Sequence, residues 1–141
     1  MNPADAPSLL ADRGGPEGLS DCDLQDSLER IADKWVLQAG VKRLLILPPD
    51  HTRLYSRAGD ITASLWKMLH ERVEIDILPA LGTHHAMKPV QLRMMFGDEI
   101  PLERFIPHDW RNDREPLGVI PGERLSELSD GRMTDPVEVA V

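Results

Sequence analysis

The sequence predicts an α/β fold in which helices flank a parallel sheet, and two apolar segments carry that prediction. A strand from Val41 to Leu47 finishes in branched aliphatic side chains and stops at two prolines, which is typical of a strand buried on both faces. Residues 73–78 alternate between apolar and acidic side chains, as in a half-exposed strand. Because a helical pattern separates them, the strands are expected to be parallel, with their carboxyl ends at one rim of the sheet.

Capping residues define the first two helices. Ser20 and Asp23 form a capping pair for a helix that runs to Gly40. Asp60 is a suitable N-cap for the helix between the two strands. The first helix has apolar residues at helical spacing: Leu24, Leu28, Ile31 and Trp35.

The rest of the chain contains shorter elements. Pro89 fits the first turn of a helix that Gly97 closes, and Pro121-Gly122 predicts a turn. Three more strands are expected: Leu102–Ile106, Leu117–Ile120 and Val137–Val141. Since the chain stops inside the last strand, we expect a domain that is truncated at its carboxyl end.

Length and composition favour one domain of a cytoplasmic protein. Residues 1–19 lack periodicity and predict a flexible arm, which leaves residues 20–141 for the domain. A net charge of −8 disfavours nucleic acid and anionic membranes as partners. No segment has the roughly 18 apolar residues of a membrane helix, and no signal peptide is recognisable. Cys22 is the single cysteine and is interpreted as an inert thiol.

Polar clusters follow three of the predicted strands. Ligands of α/β sheets bind beyond the carboxyl ends of the strands, so these clusters are expected to converge on one site. The clusters are Asp50–Arg53, Gly82–His85 and His108–Trp110.

The first cluster suits the binding of an anion. Arg53 can hold a carboxylate or phosphate through two parallel hydrogen bonds, or it can face solvent as an ion-pair partner of Asp50. Asp50 follows two prolines that would aim its carboxylate into the site. Alternatively, Asp50 and Thr52 form an Asx turn or a helix cap.

The second cluster suits proton transfer. An imidazole can both take and return a proton at ordinary pH, so His84 can act as general acid or base, while Gly82 lets the backbone approach a ligand closely. Thr83 and His85 are candidate residues of the site lining.

The remaining histidines leave two alternatives open. His108 and Asp109 either act as a pair or close the turn before Trp110, and the turn is favoured. His51 is interpreted as a loop side chain. A metal-dependent hydrolase that uses His51, His84 and His108 is a third hypothesis, although no tight metal-ligand spacing supports it and no metal site is predicted.

The ordered motifs resemble a known family. Asp50–Arg53 is followed about thirty residues later by Gly82-Thr83-His84, then by Phe96-Gly97-Asp98 and His108-Asp109. This arrangement resembles the amino-terminal domain of the lactate racemase family, whose members use a nickel-pincer nucleotide. The resemblance runs from about Arg43 to Asp113 and more faintly to Val141.

The resemblance implies a Rossmann-like fold and a 2-hydroxyacid racemase or epimerase. In such enzymes the pincer ring accepts a hydride from the carbinol carbon while a histidine takes the hydroxyl proton. By position, His84 would be an acid/base histidine, Arg53 would contact the substrate carboxylate, and Asp50 and Thr52 would help to hold the substrate. Leu54 and His85-Ala86 stand where the family commonly has Pro and Arg-Pro, so substrate choice is expected to differ.

The resemblance also implies missing parts. The lysine that tethers the pincer, the nickel-binding histidine and the second catalytic histidine are expected beyond Val141, in a carboxyl-terminal part or a separate chain. The isolated chain is therefore expected to be inactive. The rival hypothesis is a stand-alone, non-catalytic module that binds carboxylates through Arg53.

Overall fold

The computed structural model describes residues 18–109 and 111–140, which fall into two compact units. Within these ranges the first unit comprises residues 18–81 and 87–107, and the second comprises residues 82–86, 108–109 and 111–140. The predicted arm lies outside the described residues except for Gly18 and Leu19. The boundaries 1–19 and 20–141 therefore stay a prediction.

Helix α1 spans Asp21–Arg30 and opens with the predicted capping box. The Ser20 hydroxyl accepts a hydrogen bond from the backbone N–H of Asp23, whose side chain in turn accepts one from the Ser20 backbone. The chain continues as a π-helical stretch, Ile31–Leu37. Leu28, Ala32 and Val36 are buried along these two segments, whereas Ile31 and Trp35 are only partly buried.

Strands β1 (Arg43–Ile46) and β2 (Glu74–Ile77) pair in parallel, as the sequence predicts. The alternation in β2 is confirmed, because Ile75 and Ile77 are buried and Glu74 is exposed. The expectation that β1 is buried on both faces is wrong. Leu45 is 50% exposed and Leu47 is 61% exposed.

One-sided burial of β1 follows from where the helices of this unit pack. Leu44 and Ile46 join Ile75 and Ile77 in a core built with side chains from the helical segments. Leu45 and Leu47 project to the opposite face, since successive residues of a strand alternate. The core side chains from the helices are Ala32, Val36, Trp66, Leu69, Leu92, Met95 and Phe96.

Helix α2 spans Ala58–Leu69 and begins earlier than predicted. Arg57 precedes it in the left-handed conformation and pairs with both Asp21 and Asp60, at 2.6 and 3.4 Å. Asp60 is therefore a first-turn residue and not the N-cap. Gly59 lies in this first turn, and a Cβ there would lie 1.9 Å from the carbonyl oxygen of Met95. Only glycine lets the first turn of α2 approach the next helix so closely.

Helix α3 spans Pro89–Phe96, and Gly97 closes it with φ of 81°, as predicted. The expected third strand at Leu102–Ile106 is wrong. Leu102–Arg104 forms a single 3₁₀ turn, and only Phe105 makes a parallel bridge to Ile77. The Ile106 N–H donates to the Ile77 carbonyl at 2.8 Å, so the chain passes beside β2 without forming a ladder.

The second unit contains an antiparallel pair, β3 (Pro116–Ile120) and β4 (Val137–Ala140). Both strands were predicted, although Val141 lies outside the described residues. The turn expected at Pro121-Gly122 is instead the start of helix α4, Gly122–Leu128. Pro121 has extended φ and ψ and serves as the N-cap.

Candidate functional site

The Asp50–Arg53 cluster lies directly beyond the paired ends of β1 and β2. A parallel bridge between Pro49 and Ala80 extends the pairing past both strands, and the Ala80 N–H donates to the Pro48 carbonyl at 2.8 Å. The chain then enters a 3₁₀ segment, His51–Ser56. The cluster therefore starts at a fixed point on the rim of the parallel pair.

Asp50 and Thr52 shape this turn. Asp50 is only 3% exposed, and one oxygen of its carboxylate accepts hydrogen bonds from the Thr52 backbone N–H at 3.1 Å and from the Thr52 hydroxyl at 2.5 Å. This is the cap geometry that the sequence offered as an alternative to a ligand-binding role. Both residues thus have a structural task in the turn.

Arg53 is presented to solvent at the end of the same turn. Its backbone leaves the helical region, with φ of −107° and ψ of 34°, and its side chain is exposed. The guanidinium makes no hydrogen bond or ion pair with any residue in the described ranges, so the alternative of an Asp50–Arg53 ion pair is not observed there. An exposed guanidinium on a braced turn can receive an anion.

His51 is held more firmly than a loop side chain would be. The ring is half-buried, and its Nε2 lies 2.8 Å from the side-chain amide nitrogen of Gln91. The Gln91 amide oxygen accepts from the Lys88 backbone N–H at the start of α3. A Gln three residues after an N-cap often folds back onto the backbone, so the sequence carried a signal for the Gln91–Lys88 contact but none for the contact with His51.

The second cluster lies in a turn of the second unit. Gly82 has φ of 58°, which favours glycine, while a Cβ there would meet only open space. The glycine is needed for its backbone conformation, and no protein backbone crowds it. Thr83, His84 and His85 are exposed.

In the third cluster, Asp109 accepts hydrogen bonds from residues that follow it in the chain. The Asp109 carboxylate accepts hydrogen bonds from the Asn112 side chain at 2.7 Å and from the backbone N–H groups of Arg111 and Asn112 at 3.2 and 3.3 Å. The Asn112 bond, followed by the two backbone bonds, holds the pKa of Asp109 below its usual value. His108 is half-buried, and Trp110 lies outside the described residues.

The structure assigns the clusters to different units. Asp50, Thr52 and Arg53 belong to the first unit, and Gly82, Thr83, His84, His85 and His108 belong to the second. Convergence of the clusters on one site stays a prediction. In the part of the chain that the structure describes, no three His, Cys, Asp or Glu side chains come together as metal ligands would.

A cleft of about 600 Å³ lies elsewhere, in the second unit. It contains none of the predicted site residues. Its lining consists of Gly122, Glu123, Ser126, Glu127 and Thr134. None of the helices in the described ranges combines the length and the apolar character that crossing a membrane requires.

The described elements define a mixed α/β protein with a polar turn at the carboxyl end of a parallel strand pair. The family model for the lactate racemase N-terminal domain matches residues 23–121, which is more than half of the chain. The chain belongs to the lactate racemase N-terminal domain family, and the resemblance drawn from the motifs is confirmed.

Other comparisons bear on the fold. No curated protein matches the chain. A crystal structure of a protein from Thermotoga maritima, a structural genomics target, is similar with a TM-score of 0.71 and 23% sequence identity. The match covers 87% of this chain and 30% of that chain, so this chain corresponds to under a third of the longer protein. The likeness confirms the α/β fold class.

Proposed function

We propose that this chain supplies substrate-binding and proton-transfer residues to a 2-hydroxyacid racemase or epimerase. The observation that carries the proposal is the exposed Arg53 guanidinium on a turn braced by Asp50 and Thr52, in a chain of the lactate racemase N-terminal domain family. A short 2-hydroxy acid is the small-molecule partner. The proposed location is the cytoplasm, without nucleic acid or membrane as partner.

Arg53 binds the substrate carboxylate. The planar guanidinium offers two parallel N–H groups that match the two carboxylate oxygens, which fixes the orientation of the acid as well as its position. Asp50 and Thr52 act by holding the turn, because their hydrogen bonds to each other occupy the Thr52 hydroxyl proton. Orientation of the acid decides which carbon is presented for reaction.

His84 takes the proton from the substrate hydroxyl and returns it. An imidazole suits this task because it exchanges protons near neutral pH, and the exposed position of His84 leaves it accessible to substrate. Gly82, Thr83, His85 and His108 are proposed as lining residues.

The redox part of the reaction is assigned to residues outside this chain. A nickel-pincer nucleotide, when bound, supplies the hydride acceptor in enzymes of this kind. Among the described residues, no three His, Cys, Asp or Glu side chains come together as metal ligands would. Following the family resemblance, we assign the tethering lysine and the nickel ligand to a carboxyl-terminal part of a longer protein or to a separate chain.

The decisive experiment is racemisation by the completed system. The chain is combined with the polypeptide that carries the tethering region and loaded with nickel-pincer nucleotide, and D- and L-lactate and related acids are followed by chiral chromatography. We expect interconversion that His84→Asn abolishes and Arg53→Ala weakens, with Arg72→Ala as a matched control at another exposed arginine. Absence of racemisation for every short 2-hydroxy acid refutes the proposal. Binding of lactate without turnover identifies a carboxylate-binding module instead.

A further inference from the structure

The orientation of the Gln91 amide is fixed by its own backbone contact. One end of the amide lies 2.8 Å from the backbone nitrogen of Lys88. A backbone N–H can only donate, so the atom facing it is the amide oxygen. The amide NH₂ group must then face His51, whose Nε2 is 2.8 Å away.

This orientation selects one form of the His51 ring. The amide nitrogen can only donate, so Nε2 of His51 accepts and carries no proton. The neutral imidazole therefore holds its proton on Nδ1. That Nδ1 atom is shielded from solvent and has no hydrogen-bond partner among the described residues. A shielded donor without an acceptor is rare and calls for a specific explanation.

We propose that His51 is a further substrate-binding residue, whose Nδ1–H donates to a carboxylate oxygen of the 2-hydroxy acid that Arg53 holds. The inference rests on the proposed function. His51 lies between Asp50 and Thr52, so its backbone belongs to the turn that their hydrogen bonds brace. Gln91 acts through His51 as a positioning residue, because it fixes both the ring and the tautomer. A binding group keeps its productive geometry when a neighbouring residue holds it by a hydrogen bond, as Gln91 holds His51.

Gln91→Glu tests the tautomer without removing the helix cap. A Glu oxygen still accepts from the Lys88 N–H, but the other oxygen also accepts, so His51 must move its proton to Nε2. The measurement is long-range ¹H–¹⁵N NMR of the imidazole at about pH 9, well above the ordinary histidine pKa. We expect an Nδ1–H signature in the wild type and an Nε2–H signature in Gln91→Glu. Lys88→Gln is the control, since it changes the net charge by the same amount and keeps the backbone N–H.

Lactate titration of the 141-residue chain then tests the binding role. Lactate should shift the His51 Nδ1–H resonance, and Gln91→Glu should weaken binding on the order of tenfold or more relative to Lys88→Gln, because a donor to a charged group is lost. His51→Asn should bind better than His51→Gln, since only the Asn amide reaches the place of Nδ1.

Two outcomes overturn this inference and leave the proposed function standing. Lactate binding that depends on Arg53 but leaves the Nδ1–H resonance unmoved overturns only the role of His51. An Nε2–H signature in the wild type does the same. If the wild-type chain with an intact Nδ1–H tautomer binds no lactate, the substrate-binding role of Arg53 fails together with that of His51.

Discussion

Thr52 donates two hydrogen bonds to a single carboxylate oxygen of Asp50, one from its backbone N–H at 3.1 Å and one from its hydroxyl at 2.5 Å. Asp50 is 3% exposed, so its carboxylate has exchanged water for these donors. A buried carboxylate is tolerated only when such donors are supplied. The pair therefore sets the shape of the turn that presents Arg53.

Removing the Thr52 hydroxyl is expected to destabilise the chain. Thr52→Val keeps the side-chain shape but leaves the Asp50 oxygen with one donor fewer, at a cost of about 1 to 3 kcal/mol in the free energy of unfolding. Urea unfolding measures this change. Thr52→Ser retains the hydroxyl and should stay within about 0.5 kcal/mol of the wild type. Equal stability of the Val and Ser variants would contradict this role of the hydroxyl.

Arg53→Ala should weaken lactate binding without changing the stability of the chain. Because the exposed guanidinium makes no bond with a described residue, its loss is expected to change the unfolding free energy by less than about 0.5 kcal/mol. Calorimetric binding of lactate should fall to background, and Arg53→Lys should recover only part of it, since Lys lacks the planar pair of donors. Undiminished lactate binding by Arg53→Ala would remove Arg53 from the site.

Gly59→Ala tests the close contact between α2 and α3. Helix propensity alone predicts that Ala stabilises the helix by up to about 1 kcal/mol. The added Cβ would lie 1.9 Å from the Met95 carbonyl oxygen, so we expect a net loss of about 1 to 3 kcal/mol in thermal or urea unfolding. Ser64→Ala on the same helix changes the helix propensity without adding a clash, so it should be neutral or slightly stabilising. A stabilised Gly59→Ala variant would show that the two helices separate at low cost.

Local patterns predicted those elements whose cause is local. The capping box of Ser20 and Asp23, the alternation of Ile75 and Ile77, and the closure of α3 at Gly97 each depend on residues a few positions apart. The motif Asp50–Arg53 was placed correctly at the carboxyl end of β1, because strand, prolines and turn are consecutive.

Features set by packing were not predictable from these patterns. Leu45 is exposed because, among the described residues of the first unit, the core helices pack on the other face of the strand pair. An apolar run does not reveal which face is covered. Asp60 has the chemistry of an N-cap, yet the helix begins at Ala58, and its first turn packs against Met95 at Gly59. For the candidate site, the sequence placed Arg53 in the turn that follows β1 but missed the Gln91 contact to His51, which joins residues 40 positions apart. The binding role of Arg53 stays a prediction.

The hydrogen bonds that Asp109 accepts from Arg111 and Asn112 are expected to depend on pH. The hydrogen bond from the Asn112 side chain, supported by backbone N–H groups, stabilises the carboxylate and holds its pKa below the ordinary 3.8. A depressed folded-state pKa means that the stabilisation is present above pH 3.8 and is lost as the pH falls through the lower folded-state value. We expect the Asn112 side-chain amide resonances to follow this transition in an NMR titration of the Asp109 carboxyl.

Two variants identify the source of that pH dependence. Asn112→Ala removes the largest cause, so the pKa of Asp109 should rise towards 3.8. Asp109→Asn cannot ionise, and the Asn112 amide resonances should then lose their response to acid. If Asn112→Ala leaves the titration of Asp109 unchanged, the backbone N–H groups of Arg111 and Asn112 alone hold the carboxylate, and the side-chain bond contributes nothing to the turn in solution.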